Sequence, residues 1–180
     1  MKKFAGKKTI LALGGIVLSL WFGPSVAAGC DANITLSPGF QPGEAGWNKY
    51  CVKVNQTKRR FKLYVPQGYN AGQATTVVFA LHGGGSFDSM ANFIRYSDFE
   101  ASADDNNYLV VYMEAFKKQW DDGRDEAIVA DLRDKRKDVD FFNTVLNKIE
   151  HKVEIEDKGN IDKVLVMGMS NGAMMTIRLA

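Results

Sequence analysis

Val164-Leu165-Val166-Met167-Gly168-Met169-Ser170-Asn171-Gly172-Ala173-Met174-Met175-Thr176-Ile177-Arg178-Leu179-Ala180 is the stretch that decides the fold. Its first four residues form an apolar, partly β-branched run of the kind expected in a strand covered on both faces. Residues 173–180 read as the helix that follows. Between the two, Ser170 has a glycine two residues away on each side. A serine on a sharp strand-to-helix turn has its hydroxyl pushed out of the sheet, and residues without a Cβ on either side let the backbone bend that tightly. That is the placement a nucleophilic oxygen needs.

Working back along the chain, Thr76–Leu81 and Tyr108–Met113 are also almost continuously apolar. Between these two runs Met90, Phe93/Ile94, Ser97 and Ala101 fall at helical spacing. Between the second and third runs Val139, Phe142, Leu146, Ile149 and Val153 step by three and four. Asp138 and Asp140 stand at the start of that helix, and Lys148 and Lys152 near its end. Strand, helix, strand, helix, strand is the pattern of right-handed crossovers in a parallel sheet. Ahead of it, Cys51–Val54 and Arg60–Val65 alternate apolar with polar residues and are joined by residues 55–59, which predicts an antiparallel hairpin exposed on one face. The expected fold class is therefore α/β, a mixed and mostly parallel sheet with helices on both faces. Residues 29–50, rich in Pro, Gly and Asn, read as an irregular lead-in to a catalytic unit over 51–180.

Leu81-His82-Gly83-Gly84-Gly85-Ser86 follows the first parallel run directly. Attack of a serine on a carbonyl creates a tetrahedral oxyanion, and donors fixed in advance toward that oxygen lower the barrier. Gly84 is expected as the donor from this loop, Gly85 next, and the Asn171 N–H as the other. His82 is expected to brace the loop by hydrogen bonding, because the general base must approach Ser170 from elsewhere. His151, between Glu150 and Lys152, reads as solvated. The insert from Glu114 to Lys137 follows a parallel strand and so belongs at the sheet's carboxyl edge, where ligands bind in open α/β folds. Its acidic and basic residues, Asp121 and Asp122 among them, read as a solvated surface. Trp120 is either a platform for an aromatic or sugar group or a packing residue. Two histidines and two cysteines, scattered, give no metal-ligand spacing. The glycine run also lacks the Lys and Ser/Thr of a phosphate loop.

Residues 1–28 read as an export signal: Lys2, Lys3, Lys7 and Lys8, a short apolar core over Ile10–Phe22, then Pro24 and small residues up to a cleavage site after Ala28. The core is shorter than the ~20 residues of a comfortable membrane span. A secreted or periplasmic protein with no integral span after cleavage is expected. Loss of the four lysines leaves 19 basic against 21 acidic residues, so the whole-chain charge of +2 becomes about −2. That balance makes no case for a nucleic-acid partner. Cys30 and Cys51 can pair with each other, closing a loop worth roughly 3 kcal/mol. Alternatively Cys30, after Ala27-Ala28-Gly29, can carry a lipid anchor, or a cysteine elsewhere can be the partner; the sequence leaves these open.

Taken together, LHGGGSFDSM, YSDFEASADDNNYLVVYMEA, WDDGR, DVDFF and IDKVLVMGMSNGAMMTIRLA resemble secreted esterases of the polyhydroxybutyrate depolymerase and feruloyl esterase type, over roughly residues 60 to 180. The resemblance implies an α/β-hydrolase fold and a Ser-Asp-His triad with Ser170 as nucleophile. It also implies a glycine loop contributing to the oxyanion hole, no cofactor, and action on small or polymeric esters of hydroxyacids or plant-wall phenolics. In that arrangement the acid and the histidine follow the serine in the chain. Here both histidines precede Ser170, and residues 171–180 hold no Asp, Glu or His. The expectation is the N-terminal part of such an enzyme, inactive by itself. The alternatives are a secreted serine peptidase of the same fold and a non-catalytic product of a truncated gene.

Overall fold

The computed structural model describes residues 48–85, 89–124 and 137–180. The expected export signal over residues 1–28, nearly all of the expected lead-in, Cys30 and Ser86 lie outside the described residues.

The hairpin is β1 (Asn48–Val54) and β2 (Thr57–Tyr64), antiparallel, with Val54 opposite Thr57. Asn55 and Gln56 between them both have positive φ (46° and 64°), the two-residue turn whose twist matches that of the flanking strands. On β2, Arg59, Phe61 and Leu63 are buried while Lys58 and Arg60 are exposed, as period-two alternation requires. β1 begins at Asn48, so the last three positions of the expected irregular lead-in are strand. Pairing along the strand outweighs the Gly-rich composition just before it.

After the hairpin come β3 (Ala74–Leu81), α1 (Met90–Ser97), α2 (Phe99–Asn106), β4 (Tyr108–Met113), α3 (Asp138–Glu150), β5 (Asn160–Gly168) and α4 (Asn171–Leu179). Ser89 Oγ accepts the Asn92 N–H at 3.3 Å and caps α1. The crossover from β3 to β4, whose spacing predicts one helix, is two short ones. Asp98 adopts the left-handed conformation (φ 51°) and ends the first; aspartate is among the few residues that tolerate it. The five strands lie in the order β1-β2-β4-β3-β5. β3 is parallel to both β4 and β5, and β2 is antiparallel to β4.

Both faces of the sheet carry helices. On one, Val77, Phe79, Leu81, Leu109, Val111 and Met113 pack with Phe141, Phe142, Val145 and Ile149 of α3 and Met175 of α4. On the other, Tyr64, Ala80, Val110 and Tyr112 pack with Met90 and Phe93 of α1 and Ala103 of α2. The architecture is α/β, with the strand order and crossovers of an α/β-hydrolase sheet. β5 departs from the expectation of a strand covered on both faces. Val164, Leu165 and Met167 are 37, 46 and 45% exposed, because among the described residues β5 has a neighbour only on the β3 side. No helix among the described residues is long and apolar enough to cross a membrane.

One buried ion pair ties the hairpin to α3. The Arg59 guanidinium donates to Asp138 Oδ1 at 2.6 Å and to the Glu114 carbonyl at 3.2 Å, and lies 4.2 Å from the centre of the Phe141 ring. Burial pushes the Arg59 pKa down, and the Asp138 carboxylate opposes that shift. Asp138 is the first residue of α3, as its spacing predicts, but its side chain makes no cap. Its second oxygen accepts the Asp121 N–H at 2.7 Å.

Candidate active site

β3 and β5 run in the same direction with Leu81 paired to Gly168, so the chain leaves both strands side by side. The Met169 N–H donates to the Leu81 carbonyl at 3.1 Å, which fixes the glycine loop beside the serine turn. Ser170 has φ 50° and ψ −120°, a conformation that costs a non-glycine residue on the order of 1–3 kcal/mol. The turn holds it there: the Gly172 N–H donates to the Met169 carbonyl at 2.8 Å, and the Met174 N–H to the Ser170 carbonyl at 3.1 Å.

The two flanking glycines have separate reasons. A Cβ on Gly168 would run into the backbone of Gly172, and one on Gly172 into the carbonyls of Leu81 and His82, both well inside 3.0 Å. Gly172→Ala is expected to cost about 1–3 kcal/mol or more, since the obstruction is backbone. Urea denaturation measures it; a variant within about 0.5 kcal/mol of the parent shows that the close approach is dispensable.

Ser170 is exposed, and its hydroxyl has no hydrogen-bond partner among the described residues. The Asn171 N–H belongs to the first residue of α4, where helix geometry provides no acceptor and the helix dipole favours negative charge. From the glycine loop, Gly84 lies against the Gln119 carboxamide, which would have to shift to admit a Cβ. Gly85 corrects an expectation. At φ +104° its N–H donates to the Lys118 carbonyl at 3.0 Å, so that amide is already used and is not a donor to an oxyanion.

His82 is fully buried. Its Nδ1 lies 2.6 Å from the Gly83 carbonyl, and its Nε2 lies 3.0 Å from the Ala115 N–H. These partners assign a neutral ring that donates from Nδ1 and accepts at Nε2. Glu114 Oε1 is 3.4 Å from the same Nε2, but a nitrogen accepting a hydrogen bond has no proton to offer it. His151 is exposed and pairs with Glu156 at 3.4 Å, away from the turn in sequence and in element.

Trp120 is 1% exposed, which corrects the platform reading: the ring offers no face to a ligand. Its Nε1–H donates to the His82 carbonyl at 2.7 Å and its backbone N–H to Asn171 Oδ1 at 2.7 Å, so one residue fastens both loops. Asp121 and Asp122 are buried as well, not part of a solvated surface. Asp121 pairs with Arg178 of α4 at 2.8 Å. Asp122 Oδ2 accepts from the Asn171 carboxamide and from Arg124. The positioning role of the Asn171 side chain has no signal in the sequence, where only its backbone N–H stands out. Cys51 is disulfide-bonded, and Cys30 lies outside the described residues. Among the described residues no group of three or more His, Cys, Asp or Glu is arranged to hold a metal ion.

Burial pushes the Asp122 carboxyl up, but hydrogen bonds from Arg124 and Asn171 more than offset this and hold it below its ordinary value of 3.8. A pKa depressed in the folded state adds stability that is complete above the unfolded value and lost as pH falls through the folded one. The stability gap between the parent and Asp122→Asn should therefore be constant near neutrality and shrink below about pH 4. Denaturation series at several pH values test this, and a gap that persists unchanged into acid refutes it.

The five-stranded mixed sheet, the crossover helices and the strained serine at the end of β5 together define an α/β-hydrolase fold. No family model matches the sequence. The chain is similar to "Putative esterase NocK" of Nocardia uniformis subsp. tsuyamanensis, with 30% identity over 132 residues. That match covers 72% of this chain and 36% of the relative, so the chain spans about a third of the length of the protein it matches.

Proposed function

We propose that this chain carries the nucleophile of an exported serine esterase acting on carboxylic esters of the polyhydroxyalkanoate or feruloyl, plant-wall type. The observation that carries the reading is Ser170: exposed, held in a strained turn, and set between an unpaired helix N-terminus and a glycine loop. Ser170 Oγ attacks the ester carbonyl carbon. The bond to the alcohol oxygen breaks, the alcohol departs with the serine's proton relayed by a base, and water then releases the acid from the acyl-enzyme. The N–H groups of Asn171 and Gly84 meet the oxyanion, each donor being worth roughly 2.7–4 kcal/mol in such sites. His82 keeps the loop in place through the Gly83 carbonyl and the Ala115 N–H, which leaves it no free nitrogen for catalysis. His151 is exposed beside Glu156, after the end of α3 and not at the serine turn. The reaction therefore calls for a base, and an acid to orient it, that the described residues do not supply.

The relative's name supports ester chemistry, and the disulfide at Cys51 suits the oxidising compartment to which residues 1–28 would deliver the chain. The test is hydrolysis of a 4-nitrophenyl acyl ester beside an aminoacyl 4-nitroanilide, by the protein expressed from its whole reading frame. The ester is expected to be cleaved and the anilide spared. Preference for the anilide makes the protein a peptidase, and turnover of neither removes the reading.

A further inference from the structure

A basic groove at the same edge of the sheet is not used by the serine chemistry. β2 starts well before its partner β4 ends: their pairing stops at Phe61 opposite Met113, and Lys58–Arg60 run on beyond it. The segment after β4 folds over this overhang, fastened by the Glu114 N–H to the Arg60 carbonyl at 3.0 Å. Between them lies a groove of about 360 Å³, lined by Lys58, Arg60, Phe116, Lys117 and Lys118 among others, with Glu114 as its one acid. Lys58, Arg60 and Lys117 are exposed and have no ion-pair partner among the described residues. Lys117 and Lys118 are both left-handed (φ 50° and 59°), a conformation that costs roughly 1–2 kcal/mol per residue. The turn is kept because Lys118 gives its carbonyl to the Gly85 N–H, so the groove wall is bonded to the glycine loop itself.

The strand order supplies a ruler. Along the carboxyl edge come the start of β2, then the ends of β4, β3 and β5. At ~4.8 Å per strand, the groove lies two to three spacings, about 10–14 Å, from Ser170. Lys58, Arg60 and Lys117, three cations without an ion pair among the described residues in a concave site at the edge that bears the nucleophile, match a carboxylate. We infer that this groove is a subsite for a carboxylate carried by the ester substrate itself. The inference rests on Ser170 acting as the nucleophile and sharpens the substrate class. An extended chain advances ~1.2 Å per bond, so the carboxylate sits about 8–12 bonds from the scissile carbonyl. That is the length of a long acyl chain that ends in a free acid, not of a short monoacid.

The experiment compares 4-nitrophenyl half-esters of decanedioic acid, with its carboxylate about nine bonds away, and of pentanedioic acid, about four, each beside its methyl-capped counterpart. The protein is again expressed from its whole reading frame. At low salt the free decanedioate half-ester is expected to exceed its capped form about tenfold in kcat/KM, and the pentanedioate pair to be equal. The ratio should fall to about one in Arg60→Gln/Lys117→Gln and at about 0.5 M salt. Equal preference at both lengths, or a ratio untouched by the double substitution, overturns the subsite. Turnover of no ester removes the Ser170 reading, and the groove is then judged by calorimetry of monomethyl decanedioate on Ser170→Ala. Binding weakened about tenfold by the double substitution upholds it, and no binding overturns it.

Discussion

In the protein expressed from its whole reading frame, Ser170→Ala is expected to abolish covalent labelling by a fluorophosphonate and to lower ester hydrolysis by about a millionfold, the scale seen when a serine hydrolase loses its nucleophile. Alanine tolerates the strained φ and ψ no worse than serine does, and the hydroxyl has no hydrogen-bond partner among the described residues, so the fold keeps its contacts. The loss should therefore appear in chemistry and not in the melting temperature. Ser170→Cys gives a second reading, since a thiol in the same position keeps a nucleophile of different reactivity. Stoichiometric labelling of Ser170→Ala would mean that another residue is the nucleophile.

The serine turn was legible because its glycine spacing sits between two apolar patterns of different period. The clashes at Gly168 and Gly172 give that spacing a physical cause. The α3 face was legible in part: Phe142 and Ile149 are buried as their spacing implies, while Phe141 and Val145, outside the expected series, are buried as well. What escaped depends on partners far away in the chain. Asp121 and Asp122 look like any solvated acidic pair until Arg178 and Asn171 are folded against them, the latter 49 residues from Asp122. Gly85 looks like a free amide until the Lys118 carbonyl arrives. Trp120 offers a ring with two uses, and only the position of the His82 carbonyl decides between them. Hydrophobic periodicity reports which face of an element is covered. It does not report which polar atoms meet underneath.

Asp138→Ala should be the most damaging single change to stability, by about 3–5 kcal/mol. The substitution takes the Asp138 carboxylate away from the buried Arg59 guanidinium, and the cost is mainly that of the lost counter-charge. It also strips the Asp121 N–H of its acceptor, so the segment that fastens Trp120 and Asn171 loses an anchor. Two controls separate these effects. Arg59→Met in the Asp138→Ala background removes the buried charge and should recover part of the lost stability, because a buried pair replaced by apolar groups is often near neutral. Asp138→Asn keeps an acceptor for Asp121 while removing the charge, and should fall between the parent and Asp138→Ala. Chemical denaturation of the set decides. A loss below about 1 kcal/mol for Asp138→Ala would show the pair to be incidental.

Among the described residues, β5 is paired on its β3 side and uncovered on the other. As far as the described residues go, the nine-residue strand Asn160–Gly168 presents a row of amides and carbonyls beside partly exposed Val164, Leu165 and Met167. Such a row is a template for backbone pairing with any extended peptide that comes near it. Concentration, then, is the variable to watch: whatever segment reaches that flank first, from the same molecule or another, sets whether the sample stays clear or turns to fibres.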